Sequence, residues 1–259
     1  MSNATLLYLF SIGGSKMKNR VLTVKEYEFW YKNHLCEDFP ANEIKPLEDI
    51  IELQVSGKYD VIAYEEGDCI VGYATIWKHK GNSAYLLDYL GVPERLRNKG
   101  IGRNILKGLK ADVIALEQKP DICLILESET PFENDNSEEN EIRKRRIGFY
   151  ERNGWVKMYE MATCGMRFNA MSYETVPDNL DVIKIEHKRV YGEKRTDVII
   201  PLPKGERPPL PYWMDQLASI TFIQKKCRTT HQIVTAKQLY MNLHSQETTI
   251  SPGFFYTQK

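Results

Sequence analysis

Apolar and polar positions recur along the chain in a pattern that predicts a mixed α/β domain. A strand is expected at Arg20–Val24, then helical spacing through "EYEFWYKNHLCEDF" up to a break at Pro40. A second helical stretch, "EIKPLEDIIELQVSG", ends at Gly57, a common helix stop. "YDVIAYEEGDCIVGYATIWKH" holds two β-rich runs around "EEGD" and predicts a hairpin. The strand "AYLLDYLGV" leads through a glycine-bearing turn into a helix at Ile101–Gln118. There Ile105, Leu106, Leu109, Val113 and Leu116 share a face, and Pro120 stops the helix.

"DICLILESE" is almost continuously apolar, as a central strand covered on both faces would be. After the acidic stretch "TPFENDNSEENE", a helix is expected over "EIRKRRIGFYERNG". Two strand-like runs follow, "WVKMYEMA" and "GMRFNAMSYE". Strand, helix, strand between Leu86 and Leu126 sits among hairpins. The reading is an α/β (α+β) sheet, mostly antiparallel, with one crossover. Beyond Thr175 the pattern changes. "DVIIPLPKGERPPLPYW" is proline-rich and reads as extended, and "QKKCRTTHQIVTAKQLYMNLH" is polar with helical spacing. Three regions result: an N-terminal extension, 1–16, added or without fixed structure; a domain, 17–174; and a C-terminal extension, 175–259.

Composition changes this picture little. The 259 residues are 42% hydrophobic and 27% charged, ordinary for a globular chain. Thirty-five basic residues balance thirty-five acidic ones, so no global field favours nucleic acid or an anionic membrane. Five scattered cysteines show no ligand spacing, and His34, His79, His187, His231 and His244 are dispersed. No metal and no disulfide scaffold is therefore expected, and a cytoplasmic, reducing setting fits. The apolar run Leu6–Ile12 has no basic region before it, unlike a cleaved signal.

The candidate chemistry lies in "LLDYLGVPERLRNKGIGRNIL", Leu86–Leu106. N–H groups opening a helix lack intrahelical partners, and the helix dipole adds positive charge there. Gly100 and Gly102 let a ligand approach the backbone, and successive N–H groups form a nest that suits a pyrophosphate. Arg97, Lys99 and Arg103 add charge. A dinucleotide fingerprint would need a third glycine where Ile105 stands, and the Walker sequence is absent. A plain helix start with solvated cations is the other reading of such a short motif.

The flanks decide between them. "YLGVPERLRNKGIGRNIL", then "LILESE", then "RRIGFYERNGW" resemble, in order and spacing, three blocks of the GNAT superfamily of acetyl-CoA-dependent N-acetyltransferases. The resemblance spans roughly Met17 to Glu174. It implies a sheet whose strands splay apart at the cofactor cleft, with acetyl-CoA as co-substrate and no metal. Leu90, Gly91 and Val92 would pair with the pantetheine arm. Arg97, Asn98, Lys99, Gly100, Ile101, Gly102 and Arg103 would surround the pyrophosphate.

By the same resemblance Tyr150 would protonate the departing thiolate; its other reading is a core tyrosine beside Ile147. Glu127 is the candidate base, with a raised pKa if buried; otherwise it is a salt-bridged or outward carboxylate. Glu129, Asp88 and Glu43 are weaker candidates. The insertion "SETPFENDNSEEN" departs from the family pattern, so no asparagine role passes to Asn134 or Asn136. It could favour a cationic amine or peptide acceptor, or simply be solvated. The implied function is acetyl transfer to a primary amine in a ternary complex. A non-catalytic acyl-CoA sensor with a partner-binding tail is the alternative. Neither nucleic acid nor membrane is an expected partner, and a homodimer is a candidate assembly.

Overall fold

Eight strands form one sheet in the order β1-β2-β3-β4-β5-β6-β8-β7. The computed structural model describes residues 10–12, 15–132 and 137–211. The strands are β1 (Phe10–Ile12), β2 (Ser15–Val21), β3 (Tyr59–Glu66), β4 (Cys69–Lys78), β5 (Ala84–Gly91), β6 (Cys123–Glu129), β7 (Trp155–Thr163) and β8 (Met166–Tyr173). Every pairing is antiparallel except β5 with β6. That parallel pair requires a crossover, and the helix α4 (Ile101–Glu117) supplies it. All seven residues of β6 are buried, as its apolar run predicts for a strand covered on both faces.

Helices cover both faces. On one lie α1 (Val24–Trp30), which passes through a wide turn at 31–35 into α2 (Cys36–Asp38), and α3 (Leu47–Val55). Tyr27, Trp30 and Ile50 pack there against Val61, Tyr73 and Trp77. On the other face α4 and α5 (Glu138–Arg152) bury Ile101, Ile105, Leu109 and Tyr150 against Ile62, Ala74 and Leu124. Gly72 permits the close approach of α4: a Cβ there would lie 2.6 Å from Ile105 Cδ1.

Several ends shift from the sequence reading, each for a local reason. The first domain strand is Ser15–Val21 rather than Arg20–Val24, because Thr23 opens α1, its N–H donating to Glu26 at 2.8 Å. The second helix starts at Leu47, since Pro46 disfavours helical backbone at Lys45. α4 ends at Glu117, where Gln118 turns left-handed, before Pro120 is reached. α5 starts three residues early because the Ser137 hydroxyl accepts from the Asn140 N–H at 3.2 Å.

One helix is absent from the sequence reading altogether. α6 (Leu180–Tyr191) lies beyond the expected boundary at Glu174, and its Ile183, Val190 and Tyr191 belong to the same core as Trp77 and Leu86. The Glu186 carboxylate accepts from the N–H groups of Ser83 and Ala84 at 2.7 and 2.9 Å, closing the start of β5. Further on, Ile199 bridges to Ala162 of β7. The acidic residues 133–136, with Asn134 and Asn136, and the polar run 224–244, with Cys227, His231 and His244, lie outside the described residues. Among the described residues no helix is long and apolar enough to cross a membrane, and no three His, Cys, Asp or Glu residues gather to hold a metal.

Candidate active site

The turn between β5 and α4 has the shape its sequence suggests. Asn98 and Gly100 have φ of 62° and 83°, the left-handed region, which glycine occupies freely and asparagine tolerates. Among the described residues no protein group accepts from the main-chain N–H groups of 98–103. They open on a cleft of about 430 Å³ lined by Leu90, Val92, Arg97, Asn98, Gly100, Ile101, Gly102, Arg103 and Phe149. Gly102 costs α4 about 1 kcal/mol relative to alanine. Nothing in the protein demands it, since a Cβ there would meet Val92 and Phe149 only at ordinary distances of 3.7 and 3.8 Å.

Two residues of the expected cofactor set stand differently. Lys99 is exposed and does not line the cleft. Gly91 is a packing glycine, because a Cβ would fall 2.1 Å from the Tyr73 ring. Arg97 lines the cleft, but its Nε donates to the Val92 carbonyl (2.9 Å) and its Nη2 to Asp38 (2.9 Å). It braces the turn while lending charge to it.

Beyond the turn, the β5–β6 ladder runs from Ala84↔Cys123 to Leu87↔Leu126 and goes no further. The strands part there, leaving a narrow cavity lined by Phe39, Leu87, Asp88, Leu90, Leu126, Glu127, Arg146 and Tyr150. Leu90 belongs to both spaces, so the N–H nest and the splay adjoin. The cavity brings Tyr150, from α5, together with Glu127, from β6. The Tyr150 hydroxyl makes no hydrogen bond to any described residue, and burial raises its pKa while nearby Arg146 pulls it down. It remains a neutral proton donor at physiological pH.

Glu127 is held from the opposite face. The Tyr191 hydroxyl lies 2.6 and 2.7 Å from its two oxygens, and His187 Nε2 lies 2.9 Å from Oε1. His187 Nδ1 in turn meets the Tyr159 hydroxyl at 2.9 Å. Tyr191, which holds the carboxylate, and His187, which lies beside it, both come from α6, one turn apart, and neither figures among the sequence candidates. Their signal was the spacing Leu180, Ile183, His187, Tyr191 ahead of Gly192, a helix face with a glycine stop.

The weaker acid candidates are committed elsewhere. Glu129 pairs with Arg143 at 2.5 Å. Asp88 forms a buried, very close ion pair with Lys45 and accepts from the Tyr59 hydroxyl at 2.5 Å. Burial brings Lys45 down to about 8 against the pull of Asp88, and its ammonium sits 4.9 Å from the Trp77 ring centre. Glu43 is buried in the loop before Pro46, and its carbonyl accepts from the Tyr89 hydroxyl at 3.0 Å.

Residues 57–157 match the family model of the acetyltransferase (GNAT) domain. That stretch runs from the start of β3 to the start of β7 and includes the nest, the splay, Glu127 and Tyr150. No curated protein matches the chain. Similar solved structures include a protein of Bacteroides thetaiotaomicron assigned to the GNAT acetyltransferases. It is 24% identical, with 68% of this chain and 99% of that one covered and a TM-score of 0.48. A variant spermidine N-acetyltransferase of Vibrio cholerae is 11% identical over 60% of this chain and 92% of its own, with a TM-score of 0.44. A GNAT acetyltransferase of Elizabethkingia anophelis with acetyl-CoA bound is 14% identical over 61% and 98%, with a TM-score of 0.42. The match to the acetyltransferase (GNAT) domain thus covers the stretch that holds the turn, the splay, Glu127 and Tyr150.

Proposed function

We propose that the protein transfers the acetyl group of acetyl-CoA to a primary amine by direct attack in a ternary complex. The observation that carries this reading is the continuity of the unpartnered N–H nest with the splay holding Tyr150 and Glu127. The nest at 98–103 takes the pyrophosphate, with Arg97 and Arg103 lending charge and Lys99 adding a more distant one. The pantetheine arm follows β5 past Val92, Gly91 and Leu90, which puts the thioester in the splay.

Three proton movements complete the chemistry. An alkylammonium has no free pair, so Glu127 takes its proton, directly or through water, with the Tyr191 hydroxyl fixing the carboxylate. The amine nitrogen forms its bond to the thioester carbon, the carbon–sulfur bond breaks, the Tyr150 hydroxyl protonates the thiolate, and the second nitrogen proton passes, directly or through water, to the phenolate so formed. The acceptor is an amine. A cationic small molecule or peptide would draw on the acidic run before α5, of which 133–136 lie outside the described residues. A thiol-release assay with acetyl-CoA and a panel of amines tests the proposal. Acetyl-CoA binding without turnover of any amine would favour the sensing alternative instead.

The nest is tested separately. Gly100→Asp places a carboxylate among the N–H groups and a Cβ at φ 83°, with no protein atom within 4 Å to clash. Acetyl-CoA affinity should fall by at least about tenfold, or 1.4 kcal/mol. Gly100→Asn, which tolerates the same backbone without charge, should lose much less. Equal affinities by calorimetry would remove the turn from the binding site.

A further inference from the structure

Among the described residues, a cavity larger than the one at the splay lies elsewhere. A groove of about 1000 Å³ runs between α3, the end of β4 and α6, on the face away from α4 and α5. That is the upper end of the size range of small-molecule sites. Its apolar wall is Trp77, Tyr191, Leu53 and Ile200, with Ile185 on its lip, 60% exposed. Trp77 and Tyr191 stand edge to face, ring centres 5.3 Å apart, and no residue lining the groove also lines the splay.

Charge on the rim is uneven. Lys58, Lys184, Lys188 and Arg189 line the groove against Asp181 and Glu193. Asp181 is answered by Lys184 at 2.8 Å, and Arg189 donates to the side-chain oxygen of Asn82. Among the described residues Lys58 and Lys188 have no acidic partner, and both are exposed. An apolar wall under unmatched cations suits an apolar body that ends in an anion. The chain's own residues 212–259 fit this poorly. They carry Lys225, Lys226, Arg228, Lys237 and Lys259 against only Asp215 and Glu247.

We propose that this groove is a second ligand site, separate from the acetyl-CoA cleft, for a small amphiphilic carboxylate. Tyr191 gives it a link to the chemistry. One side of its ring faces the groove while its hydroxyl holds Glu127, so a ligand against the ring bears on the candidate base. The site itself does not depend on the acetyltransferase reading.

The test is calorimetric titration of the full chain with 1-naphthylacetate and, separately, with its uncharged amide. The carboxylate should bind, and the amide about tenfold or more weaker, since charged hydrogen bonds to the rim are then lost. The double variant Lys58→Glu/Lys188→Glu, both at exposed positions, should bind the carboxylate at least about tenfold less tightly. Ile185→Asp, also exposed, should weaken it by like-charge repulsion. Acetyl-CoA affinity should stay unchanged in all of them. Absence of binding by the full chain, equal binding of acid and amide, or indifference to the charge reversal would each overturn the proposal. Loss of acetyl-CoA binding in the unaltered protein would instead sink the proposed function and leave the groove result standing.

Discussion

Tyr150→Phe should lower kcat by about 10²–10⁴-fold while acetyl-CoA affinity stays within a factor of about two of the parent. The substitution removes one oxygen from a side chain that is 8% exposed and keeps the ring that packs in the α4–α5 core. Stability should therefore change little, because the hydroxyl makes no hydrogen bond to any described residue and none is lost. That separates the two readings of this residue. A purely packing tyrosine would transmit nothing to kcat on becoming phenylalanine. A proton donor would lose the chemical step and nothing else. The pH profile adds a second readout. With the thiolate's donor gone, the high-pH limb that reports the tyrosine should vanish from the kcat profile, leaving the limb that reports the base. A variant with parental kcat across the pH range would assign the proton to water.

The geometry of the turn at 98–103 was legible because it is written locally. The turn at 98–103, the strand before it and the helix after it are contiguous, so glycines, cations and periodicity all bear on one short stretch. The position of Tyr150 was legible for a related reason: it lies in the last turn of a helix that stops at Asn153 and Gly154. The environment of Glu127 was not. Its partner Tyr191 and its neighbour His187 lie 64 and 60 residues away in sequence, on a helix whose exposed residues and proline-rich sequel masked its apolar stripe. Lys45 is a similar case. In sequence it is a loop lysine before a proline; in the fold it is 3% exposed and paired with Asp88 between aromatic rings. A side chain's burial depends on what folds over it, and neither periodicity nor spacing around Lys45 encodes that cover.

A chain ending at Pro177 should lose the cooperative native fold, contrary to what a boundary at Glu174 would suggest. Such a chain lacks α6 and the stretch that follows it, and so uncovers the face built by α1, α3 and the sheet. Ile183, Val190, Tyr191, Val198 and Leu202 would all be removed, each at most 7% exposed in the full protein. Burying a side chain of this kind contributes about 1.5–3 kcal/mol. Five of them rival the roughly 5–15 kcal/mol that holds a whole domain together. Polar losses act in the same direction. The N–H groups of Ser83 and Ala84 lose the Glu186 carboxylate, and Cys164 loses its acceptor Asp197 at 2.7 Å. Glu127, 5% exposed, is left without the Tyr191 hydroxyl. Urea unfolding followed by circular dichroism, with limited proteolysis beside it, measures the outcome. A sharp transition near the parental midpoint, with acetyl-CoA still bound, would show that residues 17–174 fold alone and that α6 is an ornament on them. Loss of the transition, with a chain ending at Pro211 still folding cooperatively, would place α6 and residues 192–211 in one folding unit with residues 17–174.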